Sequence, residues 1–98
     1  MSNKEILTAA TNALRMRYPS LNAEAMIAFI VIADFESPTI GEIAVAMNLS
    51  DMQVFQYMAP LRTAGLVGLE PHRSGSNIIK LTDSGVEAKQ AVEDVFAG

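Results

Sequence analysis

The sequence predicts a mainly α-helical domain with one small β-hairpin, in the element order α-α-α-α-β-β-α, and two observations lead to this fold class. The first is a capping-box pattern, Ser or Thr followed three residues later by Glu or Gln, which begins at Ser2, Thr39 and Ser50 and marks helix starts. The second is a change of hydrophobic period from helical to two at Val67, which indicates strands. A chain of 98 residues can bury one core, so we expect a single domain over residues 1–98.

The first two helices are predicted from apolar spacing and from the residues that bound them. Apolar side chains recur every four residues from Ile6 to Leu14, which favours a helix over residues 3–17. Pro19 ends that helix, because the residue before a proline avoids the helical region. A second helix, predicted over residues 22–35 with its cap included, is apolar on almost all sides, which is typical of a central helix covered by others.

Residues 40–64 have the pattern of a helix-turn-helix motif. A short helix over residues 40–47 is followed by Asn48, a residue type that tolerates the positive φ that a tight turn needs. The next helix, over residues 51–64, contains Pro60, which cannot donate a backbone hydrogen bond.

The stretch over residues 66–82 is predicted to be a β-hairpin, the wing. Apolar residues alternate with other residues on both sides of a polar tip, residues 71–77, which is typical of a hairpin. A very short strand around residues 37–39 is expected to pair with it, and a last helix is predicted over residues 83–96. A helix-turn-helix followed by a hairpin and a closing helix is a winged helix-turn-helix fold.

Four segments of the sequence, at the spacing they have here, occur together in one protein family. They are Thr39-Ile40-Gly41-Glu42-Ile43-Ala44, Asn48-Leu49-Ser50, Leu61 with Gly65-Leu66-Val67, and Leu81-Thr82 with Gly85. From about Asn22 onward the chain therefore resembles the multiple-antibiotic-resistance regulator (MarR) family. The resemblance implies a transcription regulator that dimerises through its first and last helices, 3–17 and 83–96. It also implies that helix 51–64 enters the major groove of double-stranded DNA and that the wing reaches the minor groove or the backbone.

The residues expected to contact DNA lie on helix 51–64 and on the wing. A glutamine side chain can pair with adenine in the major groove, and an arginine on a hairpin tip suits a narrow minor groove. The predicted DNA-binding residues are Ser50, Met52, Gln53, Gln56, Arg62, His72, Arg73, Ser74 and Lys80. The alternative for the glutamines and for the hairpin tip is that they are ordinary solvent-exposed residues without a role in DNA binding. Apolar residues beyond the needs of one small core predict the homodimer interface: Ile6, Leu14, Val92, Val95 and Phe96.

The charge of the chain favours a second hypothesis. Lys and Arg number 7 against 11 Asp and Glu, the net charge is −4, and no Lys or Arg lies between Tyr18 and Leu61. Cations that neutralise phosphates supply most non-specific DNA affinity. Members of the family also usually have polar or basic residues where this chain has Phe55 and Pro60. An apolar patch of Met52 and Phe55 is typical of a protein-contact site, so the alternative function is a winged-helix protein-interaction module with weak or lost DNA binding.

Other classes of function are not expected. The chain has no Cys, one His and no Gly-rich phosphate loop, so we expect no enzyme, no cofactor and no metal site. The longest apolar run, residues 25–33, is far shorter than the ~20 residues that a membrane span needs. Without a recognisable leader at its start, the chain is expected to be a soluble cytoplasmic protein.

Overall fold

The computed structural model describes residues 3–73, 75 and 77–97, with side chains described over 4–73, 75 and 77–95. Ser2, Ser74 and the side chain of Phe96, which the sequence analysis singled out, lie outside these ranges. The described elements are α1 (Asn3–Arg17), α2 (Ala23–Ala33), α3 (Ile40–Met47), α4 (Asp51–Thr63), β1 (Val67–Pro71), β2 (Asn77–Leu81) and α5 (Asp83–Ala97). This order confirms the predicted fold class.

Reciprocal side-chain hydrogen bonds begin both helices of the helix-turn-helix. The Thr39 hydroxyl accepts from the Glu42 backbone N–H, and a Glu42 carboxylate oxygen accepts from the Thr39 N–H, both at 3.1 Å. The same exchange joins Ser50 and Gln53, at 3.2 and 2.9 Å. These bonds satisfy backbone donors that the first turn of a helix cannot use, so two of the three predicted capping boxes, at Thr39 and Ser50, are confirmed.

The connections on either side of α3 use left-handed backbone conformations. Asn48 has φ 56° and ψ 47°, as predicted for the turn between α3 and α4. Ser37 also has a positive φ, 49°, in the connection between α2 and α3. The helix α2 ends at Ala33, earlier than the predicted Phe35, whose N–H donates to the carbonyl oxygen of Ile32 only three residues back. Such a tightened last turn, followed by Ser37 and Pro38, cannot continue an α-helix.

The two strands of the wing pair antiparallel from Val67 opposite Leu81 to Pro71 opposite Asn77. Pro71 and Asn77 were expected in the tip, so the strands are longer than predicted. The Ile79 N–H donates to the Pro38 carbonyl oxygen at 2.8 Å, and Thr39 and Ile78 form an isolated bridge. The predicted pairing of residues 37–39 with the wing is therefore present as an isolated bridge and not as a third strand, and it ties the wing to the start of α3.

The helix α2 is the centre of the core, as predicted, because it packs against α1, α3, α4 and α5. Its Met26, Phe29 and Ile32 are among the largest fully buried side chains. No helix in the described ranges is long and apolar enough to cross a membrane.

Two of the residues predicted for the dimer interface lie in the core of the domain instead, which corrects the prediction for them. Leu14 and Val92 are 0% and 3% exposed within the single chain, where α1 packs directly against α5. Their side chains fill the core of the domain and leave no surface for a partner. Ile6 and Val95 are partly exposed.

Candidate nucleic-acid interface

The helix α4 has one face in the core and one in solvent. Val54, Met58 and Leu61 are buried, at the spacing that keeps side chains on one side of a helix. The opposite face is exposed and carries Met52 and Gln56, two of the residues predicted to contact DNA. Gln53 and Arg62, which are also exposed, lie on the two flanks of this face. The core therefore holds α4 firmly while a full row of its side chains remains available to a ligand.

The side chain of Gln53 is already engaged at the start of α4. Its amide oxygen accepts from the Ser50 backbone N–H at 2.9 Å and from the Ser50 hydroxyl at 3.3 Å. Recognition of adenine requires both the oxygen and the nitrogen of a glutamine amide. Gln53 and Ser50 are thus placed to position the helix, and reading a base with Gln53 would break this cap.

Gln56 lies one turn further along the same exposed face. No side-chain hydrogen bond to it occurs among the described residues, so both ends of its amide face solvent. Pro60, four residues later, has no N–H to donate to the Gln56 carbonyl oxygen. Gln56 therefore offers an amide and a backbone acceptor at one place on the helix surface.

Met52 and Phe55 form an apolar patch beside these glutamines. Met52 is 71% exposed and Phe55 is 40% exposed. Side chains three residues apart on a helix are neighbours, so the two can be covered together. Such a patch can meet either the methyl group of thymine or an apolar protein surface.

The cations near this face are few. Arg62 is exposed in the last turn of α4, about 9 Å along the helix axis from Gln56. Arg73 and His72 are exposed at the wing tip, where the Gly75 N–H donates to the His72 carbonyl oxygen at 3.0 Å. Lys80, on β2, is held by Glu70 on β1 with 3.4 Å between its Nζ and a carboxylate oxygen. The charge of Lys80 is therefore largely compensated within the wing.

The acidic side chains between Tyr18 and Leu61 are exposed and uncompensated. In the part of the chain that the structure describes, ion pairs join Glu70 to Lys80 and Lys89 to Glu93 only. The remaining acids on α2, α3, α4 and their connections are Glu24, Asp34, Glu36, Glu42 and Asp51. Phosphates are repelled from this region, so favourable electrostatics for DNA are confined to Arg62 and the wing tip.

Two surface features of the structure were not predicted from the sequence. Val45 on α3 is 84% exposed, and the helical period could have shown this, because Val45 lies off the buried stripe of Ile40, Ile43 and Ala44. A cleft between α2 and α5 is the second. Its lining residues are Ile30, Val31, Ala33, Asp34, Lys89, Val92 and Glu93. It depends on how two distant helices pack, for which the sequence carries no local signal.

No group of three or more His, Cys, Asp or Glu that could hold a metal ion occurs among the described residues.

Comparison with known proteins identifies the fold. Neither a protein-family profile nor a curated relative matches the sequence. Among solved structures, the chain is similar to MepR, a transcription regulator of the Staphylococcus aureus multidrug efflux pump MepA, with 19% identity over 96% of this chain and 70% of MepR and a TM-score of 0.74. A MepR–DNA complex from the same organism matches with 15% identity, 96% and 78% coverage and a TM-score of 0.74.

A third similar structure is that of Escherichia coli MarR, with 15% identity, coverage of 95% of this chain and 69% of MarR, and a TM-score of 0.71. Identities this low establish the shared architecture alone. The chain therefore has the MarR-like winged helix-turn-helix fold of these transcription regulators.

Proposed function

We propose that the chain is a DNA-binding transcription regulator that acts as a homodimer, inserts α4 into the major groove and touches the minor groove or backbone with the wing. The observation that carries this proposal is the solvent-facing row on α4, presented next to a hairpin wing in the fold of MepR, which has been solved in complex with DNA. This arrangement places a helix and a wing side by side, as groove-reading domains require.

The proposed contacts follow from the chemistry and exposure of each side chain. Gln56 reads a base through its amide, and Met52 contacts a thymine methyl group. Arg73 enters the minor groove or binds a phosphate, and Arg62 binds a phosphate. Gln53 and Ser50 keep the start of α4 in place. His72, Lys80 and Ser74 complete the proposed site, with Lys80 contributing least because Glu70 compensates its charge.

The homodimer is proposed through α1 and α5. Apolar side chains remain on the outer surface of these helices after they have packed against each other, including Leu7, which is 41% exposed. The partly exposed Ile6 and Val95 are proposed to contribute to the interface. Phe96, whose side chain lies outside the described ranges, stays a predicted interface residue. Both helices are only 15 residues long, so an interface formed by them is expected to be small and to dissociate on dilution.

The experiment that tests the proposal is selection of duplexes from a randomised library by the full chain at low salt, followed by binding of the selected duplex across a salt series. The expected result is an inverted repeat whose half-sites are about one helical turn apart, bound with an affinity that collapses before physiological salt. Failure to enrich any duplex at low salt contradicts the proposal.

A second candidate function is a protein-interaction module that uses Met52 and Phe55. The exposure of these two side chains next to the acidic Asp51 supports it. The two candidates differ in which side chain matters. An aromatic anchor dominates a protein interface, whereas the polar Gln56 dominates base recognition.

A further inference from the structure

A second exposed surface lies on α3 and shares no residue with the row on α4 that faces DNA in the proposed function. We call it the α3 surface and define it by the residues that line one shallow depression: Phe35, Thr39, Gly41, Glu42, Val45 and Ala46. Val45 is the most exposed large aliphatic side chain on it, and Phe35 is also exposed. A valine left almost fully in water on a helix is unfavourable, which makes its burial by a partner favourable.

Gly41 lines this depression and has no side chain that would fill it. It lies in the first turn of α3 with no positive φ, and a Cβ there would meet only the Thr39 hydroxyl oxygen, at 3.8 Å. Neither the backbone nor the packing of the domain therefore requires glycine at this position. Glycine is a poorer helix former than alanine, so its presence weakens α3 while leaving room for an incoming side chain beside Val45.

The charge around the α3 surface restricts what can cover it. Glu42 lines the depression, whereas Asp34 and Glu36, the sequence neighbours of Phe35, line two other clefts to which Lys89 also belongs. Glu42 forms no ion pair within the described ranges. Nucleic acid and acidic membranes are repelled by such a surface. A second copy of the chain in a symmetric contact would bring the same carboxylates together.

We propose that the α3 surface docks a basic protein segment whose apolar side chain enters the depression beside Val45 while its Lys or Arg residues meet Glu42. The charges steer and orient the segment, and the apolar contact supplies the affinity. This docking does not depend on whether α4 binds DNA.

The test begins with short random peptides displayed on phage and selected on the immobilised full chain. Selected peptides are then synthesised with a fluorescent label and titrated against the full chain and its variants. We expect peptides that combine Lys or Arg with an aromatic or leucine residue. Their affinity should fall about tenfold with Val45→Ser and stay unchanged with Val86→Ser, a matched change at an exposed valine on α5.

Two further variants separate binding from folding. Glu42→Gln removes the charge but keeps a side chain that suits the capping box, so it should weaken the peptides and leave the free energy of unfolding nearly unchanged. Gly41→Ala should raise that free energy and still weaken the peptides, because the new methyl group partly fills the depression.

Three results would overturn the proposal. The first is that no peptide is enriched or that the enriched peptides bind Val45→Ser and Glu42→Gln as well as the unchanged chain. The second is a change of mass in light scattering with Val45→Ser, which would assign the surface to a second copy. The third is a loss of duplex binding with Val45→Ser, which would assign it to DNA.

Discussion

A Cβ atom placed on Gly85 would lie 2.1 Å from the carbonyl oxygen of Leu66. The same oxygen accepts a hydrogen bond from the Thr82 N–H at 3.0 Å, and the Gly85 N–H donates to the Thr82 hydroxyl at 3.0 Å. The Thr82 hydroxyl in turn donates to the Gly65 carbonyl oxygen. These contacts join the end of α4, the base of the wing and the start of α5 at one point.

We predict that Gly85→Ala lowers the free energy of unfolding by at least about 2 kcal/mol, because backbone must move away from backbone and no flexible side chain can absorb the change. Urea unfolding measures this loss. Gly41→Ala is the control, since its Cβ has room and should stabilise α3 by up to about 1 kcal/mol. A Gly85→Ala variant as stable as the unchanged chain would mean that α5 does not approach Leu66 so closely.

The capping role of Gln53 separates it from Gln56. Gln53→Ala should lower the free energy of unfolding by about 0.5–1 kcal/mol, whereas Gln53→Glu should keep it, because a carboxylate oxygen can accept the same Ser50 N–H. Gln56→Ala should not change stability but should cost about 1–3 kcal/mol of binding on a selected duplex. Urea unfolding and fluorescence anisotropy measure the two effects. Equal losses of binding with Gln53→Glu and Gln56→Ala would show that both residues read bases.

The charges of the wing lead to a prediction about how duplex affinity depends on salt. Arg73→Ala should lower the steepness of log affinity against log salt by about one, as for the loss of one phosphate or groove contact. Glu70→Gln should raise the duplex affinity by about twofold to fivefold, because it releases Lys80 from its ion pair. Anisotropy titrations over several salt concentrations test both changes. An unchanged slope with Arg73→Ala would remove the wing tip from the DNA interface.

The two candidate functions of the α4 face predict opposite rankings. If α4 reads DNA, Gln56→Ala weakens duplex binding more than Phe55→Ala does. If α4 meets a protein, Phe55→Ala is the costly change and Gln56→Ala is nearly silent in the affinity for that protein. Both variants change exposed side chains, so circular dichroism should show an unchanged fold for each.

The burial of Leu14 predicts how α1 responds to substitution. Leu14→Ala should lower the free energy of unfolding by about 2–5 kcal/mol, since it leaves a cavity in the core. Leu7→Ser should leave that free energy nearly unchanged and shift the dimer towards monomer, as measured by sedimentation over a range of protein concentrations. A monomer at all concentrations for the unchanged chain would contradict the homodimer.

Most of the fold could be predicted from the sequence because its signals are local. The capping boxes at Thr39 and Ser50 act over three residues, and the turn at Asn48 needs only a residue that tolerates positive φ. The candidate site could be predicted only in part. The α4 residues of the site followed from the family resemblance and from the chemistry of glutamine, but the use of the Gln53 amide as a cap competes with the role assigned to it in base recognition.

The sequence by itself determined where the helices begin, where the period changes to that of strands and how little positive charge α4 carries, since each of these depends on neighbours within a few positions. Only the tertiary structure decided that Leu14 and Val92 belong to the core and that Glu70 compensates Lys80. It also decided that Gly85 must admit the Leu66 carbonyl. These are contacts between distant segments, and an apolar, charged or small residue looks the same in sequence whichever partner the packing brings to it.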